Sequence, residues 1–222
     1  MISERLPKQS IETSAFSLIE LLVVMAILGL LVTFSVVGFQ SIGTSRGVSQ
    51  AAADVAGLLE YARNEAVTRR SYVWVGLKET NISGSLEVQM AAAYSIDGTT
   101  NTGTNLTPLS RIMKVGNTGL MSYSGLRAET RDLLGSSIGV QDFSTNTRGV
   151  TFKVGANEFK NTITFTPRGE ALLKGVPVSF DGFDPMIGIG LMPARGSVKA
   201  DTSKDAAVVL DGSTGMARVL RL

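Results

Sequence analysis

One uninterrupted apolar run dominates the first fifth of the chain. From Phe16 to Phe39, "FSLIELLVVMAILGLLVTFSVVGF", Glu20 is the single charged residue. As a helix rising about 1.5 Å per residue the run extends roughly 36 Å, enough to cross a hydrocarbon core of about 30 Å with some tilt. The pattern therefore predicts a transmembrane helix over residues 16–40, after a polar segment at 1–15. A secretory signal peptide fits less well, because its apolar core is shorter and the "VVGFQSIGTSRG" that follows has no A-x-A cleavage site. Beyond Gly47 the pattern turns amphipathic, with Val48, Ala51, Ala52, Val55, Leu58, Leu59, Ala62 and Ala66 at three- and four-residue intervals. This predicts a helical spine over 41–70, nearly continuous with the apolar run. Its polar face carries Gln50, Asp54, Glu60, Arg63 and Asn64, and Arg69 and Arg70 fall at the negative end of the helix dipole.

Residues 71–222 read as strands and turns. The segments "SYVWVGL", "LEVQMAAAYS", "SRIMKV", "GVTFKV", "NTITFTP", "VPVSF" and "AAVVLDG" followed by "GMARVLRL" are short, rich in Val, Ile, Thr and aromatic residues, and bounded by Gly, Asn, Asp or Pro. "DGSTG" at 211–215 is the clearest hairpin turn and makes the last two strands neighbours. The fold class is α+β: a long N-terminal helix packed on a mainly antiparallel β-sheet domain. Roughly residues 96–148, which include "SRIMKV" at 110–115, match no recognisable motif and read as a variable loop region suited to partner specificity.

Composition removes most enzymatic chemistry. There are no cysteines and no histidines among the 222 residues, which excludes disulfides, zinc sites with Cys or His ligands, thiol nucleophiles and Ser-His catalysis. The net charge of +2 comes from 21 basic and 19 acidic side chains, too balanced for nucleic-acid binding by bulk electrostatics. The Gly-rich stretch at 186–196 lacks the strand, helix and acidic context of a dinucleotide loop. In "SIDGTTNTGTN" Asp97 is the sole carboxylate, thin for a cation that takes six to eight oxygens. No catalytic residue, metal or cofactor is expected.

Glu20 needs its own account, since a carboxylate at mid-membrane costs about 2.5–3.5 kcal/mol. "AFSLIELLVVMAILGLL" resembles the leader junction of type IV prepilins and type II secretion pseudopilins, where a peptidase cuts before a Phe and the fifth mature residue is Glu. The resemblance implies a leader at 1–15, cleavage between Ala15 and Phe16, and N-methylation of Phe16. It further implies that Glu20 neutralises the N-terminal amine of a neighbouring subunit as the helices stack. Ala15 stands where the family usually has Gly, the leader lacks a clear positive excess, and Val37 stands where many members have Pro.

The second half narrows the resemblance. "LLEYARNEAVTRRSYVWVGL", "ITFTPRGEA" and the closing "VVLDGSTGMARVLRL" resemble the GspH/FimT-type pseudopilins and minor pilins. What this implies is a structural subunit of a type II secretion pseudopilus or a type IV pilus. It would sit in the bacterial inner membrane by a single pass, with residues 71–222 on the periplasmic side. The implied partners are the prepilin peptidase, other pilins met through the N-terminal helix, and an inner-membrane assembly platform. Two alternatives stand beside it. A FimT-like minor pilin for DNA uptake would contact nucleic-acid phosphates through basic residues near the C-terminus, Arg218 and Arg221 first, with Arg195, Lys199 and Lys204 nearby. An unprocessed membrane-anchored β-rich binding domain would keep its leader.

Overall fold

The computed structural model describes residues 18–100, 106–134, 140–144, 150–173, 186–200 and 204–221, with side chains throughout except at 30–46. The chain divides into two units, Met1–Ile42 and Gly43–Leu222. Helix α1 spans Leu18–Arg69. It closes as a Schellman turn: the Ser71 N–H donates to the Ala66 carbonyl at 3.1 Å and the Arg70 N–H to the Val67 carbonyl at 3.3 Å, with Arg70 left-handed at φ 52°.

The strands follow in chain order. They are β1 (Val73–Ile82), β2 (Ser85–Ser95), β3 (Leu106–Pro108), β4 (Met113–Gly116) and β5 (Thr118–Met121). A 3-10 turn (Tyr123–Gly125) and helix α2 (Ala128–Asp132) lead to β6 (Val140–Asp142). Next come β7 (Phe152–Val154), β8 (Asn157–Phe159), β9 (Thr162–Phe165) and β10 (Ala171–Leu172). The last four are β11 (Met186–Arg195), β12 (Val198–Lys199), β13 (Ala206–Asp211) and β14 (Ala217–Arg221).

Among the described residues they form two six-stranded sheets and a separate β7–β8 hairpin. The first sheet runs β10-β9-β1-β2, with β3 and β4 sharing the far edge of β2. The second runs β12-β11-β13-β14, with β5 and β6 along the other side of β11. Every pairing is antiparallel except β6 with β11. Hence the domain is α+β and mainly antiparallel, as the strand pattern indicates. The expected strand at 176–180 lies outside the described residues.

The spine of α1 carries the main core. All eight stripe residues from Val48 to Ala66 are at most 5% exposed, and they cluster with the inner faces of both sheets: Val73, Val75 and Leu77 of β1, Ile163 and Phe165 of β9, Ile189 of β11, Val208 of β13. Burying the Val and Leu members contributes about 1.5–3 kcal/mol each before chain entropy is charged. The sheets' outer faces are also covered. Trp74, Ala91 and Ala93 pack under the stacked rings of Phe152 and Phe159, and Ala207 and Val209 pack under Tyr123 and Leu126.

One sequence expectation is corrected, and one strand lies where the sequence pattern predicts none. Residues 96–148 are not simply loop: beside the strand expected at "SRIMKV", which overlaps β4, they hold β3, β5, α2 and β6, and two of these strands complete the second sheet. The Gly-rich stretch at 186–196 holds β11, the strand most other members of that sheet pair with. Its glycines are there for close approach: a Cβ on Gly188 would lie 2.6 Å from the Tyr123 ring, and one on Gly190 would lie 2.7 Å from the Met121 carbonyl oxygen.

Candidate functional site

Two regions carry residues that packing alone does not account for. The first is the start of α1. From Leu18 to Gly29 every residue is exposed, and the large apolar side chains are between 48% exposed at Val24 and 82% at Leu18. Glu20 lies in the first turn, where the helix dipole favours negative charge, and has no ion-pair partner among the described residues. An apolar surface this continuous calls for a lipid or protein partner. Ala15 and Phe16, the expected cleavage pair, lie outside the described residues. Among the described residues no helix is long and apolar enough to cross a membrane; described side chains of the apolar run stop at Gly29.

The second region joins three stretches far apart in sequence. Arg63 is half-buried, not on a free polar face: its Nε donates to the Thr214 carbonyl oxygen at 2.5 Å, clamping α1 to the β13–β14 turn. That turn is built by Asp211. Its Oδ1 accepts from the Ser213 hydroxyl at 2.6 Å and from the Ser213 and Thr214 N–H groups at 2.9 and 3.0 Å, which holds the Asp211 carboxyl below its ordinary pKa, the Ser213 hydroxyl contributing most. Gly215, at φ 65°, lies against the Gly169 carbonyl with no room for a Cβ. Gly169, at φ 87°, sits on Arg63 and Val67. Thr166 orders the intervening loop, its hydroxyl donating to Glu170 Oε2 at 3.0 Å and accepting the Arg168 N–H at 3.2 Å. The Ala171 N–H then donates to the Gly212 carbonyl at 2.9 Å. Thus "ARNEAVTRR", "FTPRG" and "DGSTG" are one structural knot that fixes the spine to the sheets. The three motifs are legible singly; their contact is not.

The C-terminal basic residues are not brought together. Arg218 and Arg221 are both exposed on β14, but three residues apart on a strand they point to opposite faces. Lys199 is taken by Glu79 at 2.9 Å, while Arg195 is exposed at the end of β11. Asp97 accepts from Ser95 and Thr99 in a closed local turn, and among the described residues no cluster of three potential metal ligands occurs.

A buried carboxylate missed in the sequence holds another part of the fold. Asp205, fully buried, accepts the Arg127 N–H at 2.8 Å, the Thr130 hydroxyl at 2.9 Å and Arg127 Nε at 3.2 Å, so it caps α2 from outside that helix. Nothing in the sequence around Asp205 signals this, because the partner helix lies over 70 residues earlier.

Comparison with known families gives two matches. Residues 51–213 match the family model for the type II transport protein GspH, and residues 13–36 match the prokaryotic N-terminal methylation motif. No curated protein and no solved structure matches the chain.

Proposed function

Since the chain belongs to the GspH family of type II transport proteins, we propose that it is a pseudopilin or minor pilin, cut between Ala15 and Phe16, methylated on Phe16, and assembled with other pilins through its N-terminal helix. The observation that carries this reading is the exposed apolar start of α1 with Glu20 in its first turn, inside the stretch that matches the methylation motif. Cleavage frees an amine at Phe16, one helical turn from Glu20. A carboxylate there is favoured by the helix dipole and can neutralise the amine of an adjacent subunit as the helices stack. Leu21, Leu22, Val23, Val24 and Ile27 supply the burial, and Glu20 supplies the register.

Residues 16–40 anchor the subunit in the inner membrane before assembly, leaving the β-rich domain on the periplasmic side. The prepilin peptidase and an inner-membrane assembly platform are the partners this requires. The role is structural rather than catalytic. Nucleic-acid contact is no part of the reading, because Arg218 and Arg221 do not share a face.

The test is intact-mass and N-terminal peptide analysis of the membrane-extracted protein from its native host. A mature chain beginning at methylated Phe16 is the expected result. An intact Met1 leader with an active host peptidase would replace this reading with that of an unprocessed anchored domain. Glu20→Ala should leave the β domain folded and lose filament incorporation.

A further inference from the structure

The first sheet leaves one strand edge open beside a cleft. β1 pairs with β2 along its whole length, but with β9 only from Val73 to Gly76. One further bond, from the Leu77 N–H to the Asn161 carbonyl at 3.3 Å, ends that ladder. Main-chain groups of alternate residues address the same edge, so those of Glu79 and Asn81 point where Leu77 points. Among the described residues no strand pairs with them there.

A cleft of about 560 Å³ adjoins this edge, with Leu77, Phe143 and Leu120 as its apolar lining and Lys78, Lys160 and Lys199 among its polar residues. The β5 edge that also borders it is already closed. The Leu120 N–H donates to Glu79 Oε2 at 2.7 Å, its carbonyl accepts from Lys199 Nζ at 2.6 Å, and those two side chains pair at 2.9 Å. Side chains capping main-chain groups in this way protect an edge from pairing. Among the described residues the β1 edge has no such cap.

Charge selects the occupant. Both carboxylates of the cleft are engaged, Glu79 as above and Glu158 with Lys160 at 3.5 Å. Lys78 has no carboxylate partner among the described residues; its Nζ donates to Asn157 Oδ1 at 2.8 Å and lies 5.2 Å from the centre of the Phe159 ring. We propose that this cleft binds a short, extended, acidic segment of a partner protein, added antiparallel to β1 at Glu79 and Asn81 along the line where β9 stops. Main-chain hydrogen bonds give the affinity and alternate side chains the specificity. The added residue opposite Thr80 is the diagonal neighbour of Lys78 on the same face, so a carboxylate there meets the Lys78 ammonium.

The experiment uses the full chain in detergent and a capped peptide of alternating valine and glutamate. Controls are the same peptide with lysine for glutamate, and one N-methylated at the residues whose N–H groups would face β1. Calorimetry should show saturable binding of the acidic peptide, weakened at least about tenfold by either control and about tenfold by Lys78→Gln in a variant whose thermal unfolding is unchanged. Amide exchange should slow at Glu79 and Asn81. No saturable binding, equal binding of the lysine or N-methylated peptide, or protection that leaves Glu79 and Asn81 unchanged would overturn the proposal. So would protection of those amides by protein concentration alone, which would mean that a second copy fills the edge.

Discussion

Arg63 and Thr214 are 151 residues apart in sequence and joined by one hydrogen bond, guanidinium Nε to main-chain carbonyl. A cation on the spine helix thereby satisfies the exposed carbonyl of a hairpin turn, and the helix, the 166–169 loop and the 211–215 turn become one unit. Arg63→Ala should cost about 1–2 kcal/mol of stability, the range for a hydrogen bond from a charged donor that retains some solvent access. Arg63→Lys should recover little, since an ammonium has no planar fork to reach the carbonyl from the same stem. Urea unfolding of the detergent-solubilised chain measures both.

Gly215 is the tightest point of the same knot. A Cβ there would collide with the Gly169 carbonyl and come within 3.2 Å of Arg63 Cδ. Gly215→Ala should therefore lose more than Arg63→Ala: about 1–3 kcal/mol from overpacking and roughly 1 kcal/mol more from the left-handed backbone. The same denaturation series checks the order, and a smaller loss for Gly215→Ala would show that the turn can swing away from the loop.

Asp205 tests how the second sheet holds its outer cover. Removing its carboxylate orphans the buried Thr130 hydroxyl and the Arg127 N–H, and leaves the Arg127 guanidinium without its closest partner. Asp205→Ala should cost about 2–4 kcal/mol. Exchange should quicken first at α2 and the 3-10 turn before it, while the amides of β1 and β9 stay protected.

Much of this arrangement is legible in the sequence, for reasons of period and range. The stripe from Val48 to Ala66 repeats at helical spacing with apolar residues throughout, so periodicity alone identifies the buried face. The β13–β14 hairpin is local and carries its own turn signal in "DGSTG". β11 is not legible there, because Gly188 and Gly190 weaken strand propensity and their reason for being there is Tyr123 and Met121, more than 60 residues away. β5 and β6 are four and three residues long and gain definition only by pairing with β11. The candidate site divides the same way: Glu20 belongs to a contiguous motif with a fixed register, whereas the role of Arg63 needs two loops from the far end of the chain.

Asp211 makes the knot sensitive to acid. Its folded-state pKa lies below the ordinary carboxylate value because the Ser213 hydroxyl and the Thr214 and Ser213 N–H groups donate to the ionised form. A depressed value means stability that is present above the unfolded pKa of about 3.9 and is lost as pH falls through the lower folded value. Ser213→Ala removes the largest contribution, so wild type and variant should differ in stability near neutral pH and converge at strongly acidic pH. Parallel curves at all pH values would place the Ser213 effect in packing instead of in the carboxylate.

The end of α1 offers a reversal of an ordinary rule. In a helix interior alanine is better than glycine by about 1 kcal/mol. Arg70 occupies the left-handed position of the Schellman turn, where a Cβ is penalised by roughly 1–2 kcal/mol and glycine is not. Both Arg70→Ala and Arg70→Gly delete the same charge near the helix C-terminus, so the dipole contribution cancels between them. Arg70→Gly should then be the more stable of the two by about 1 kcal/mol, read as a difference in urea midpoint at equal slope. Alanine equal to or above glycine would mean that α1 runs on through Arg70, which would break the bond from Ser71 to Ala66 and shift the entry of β1 against the spine.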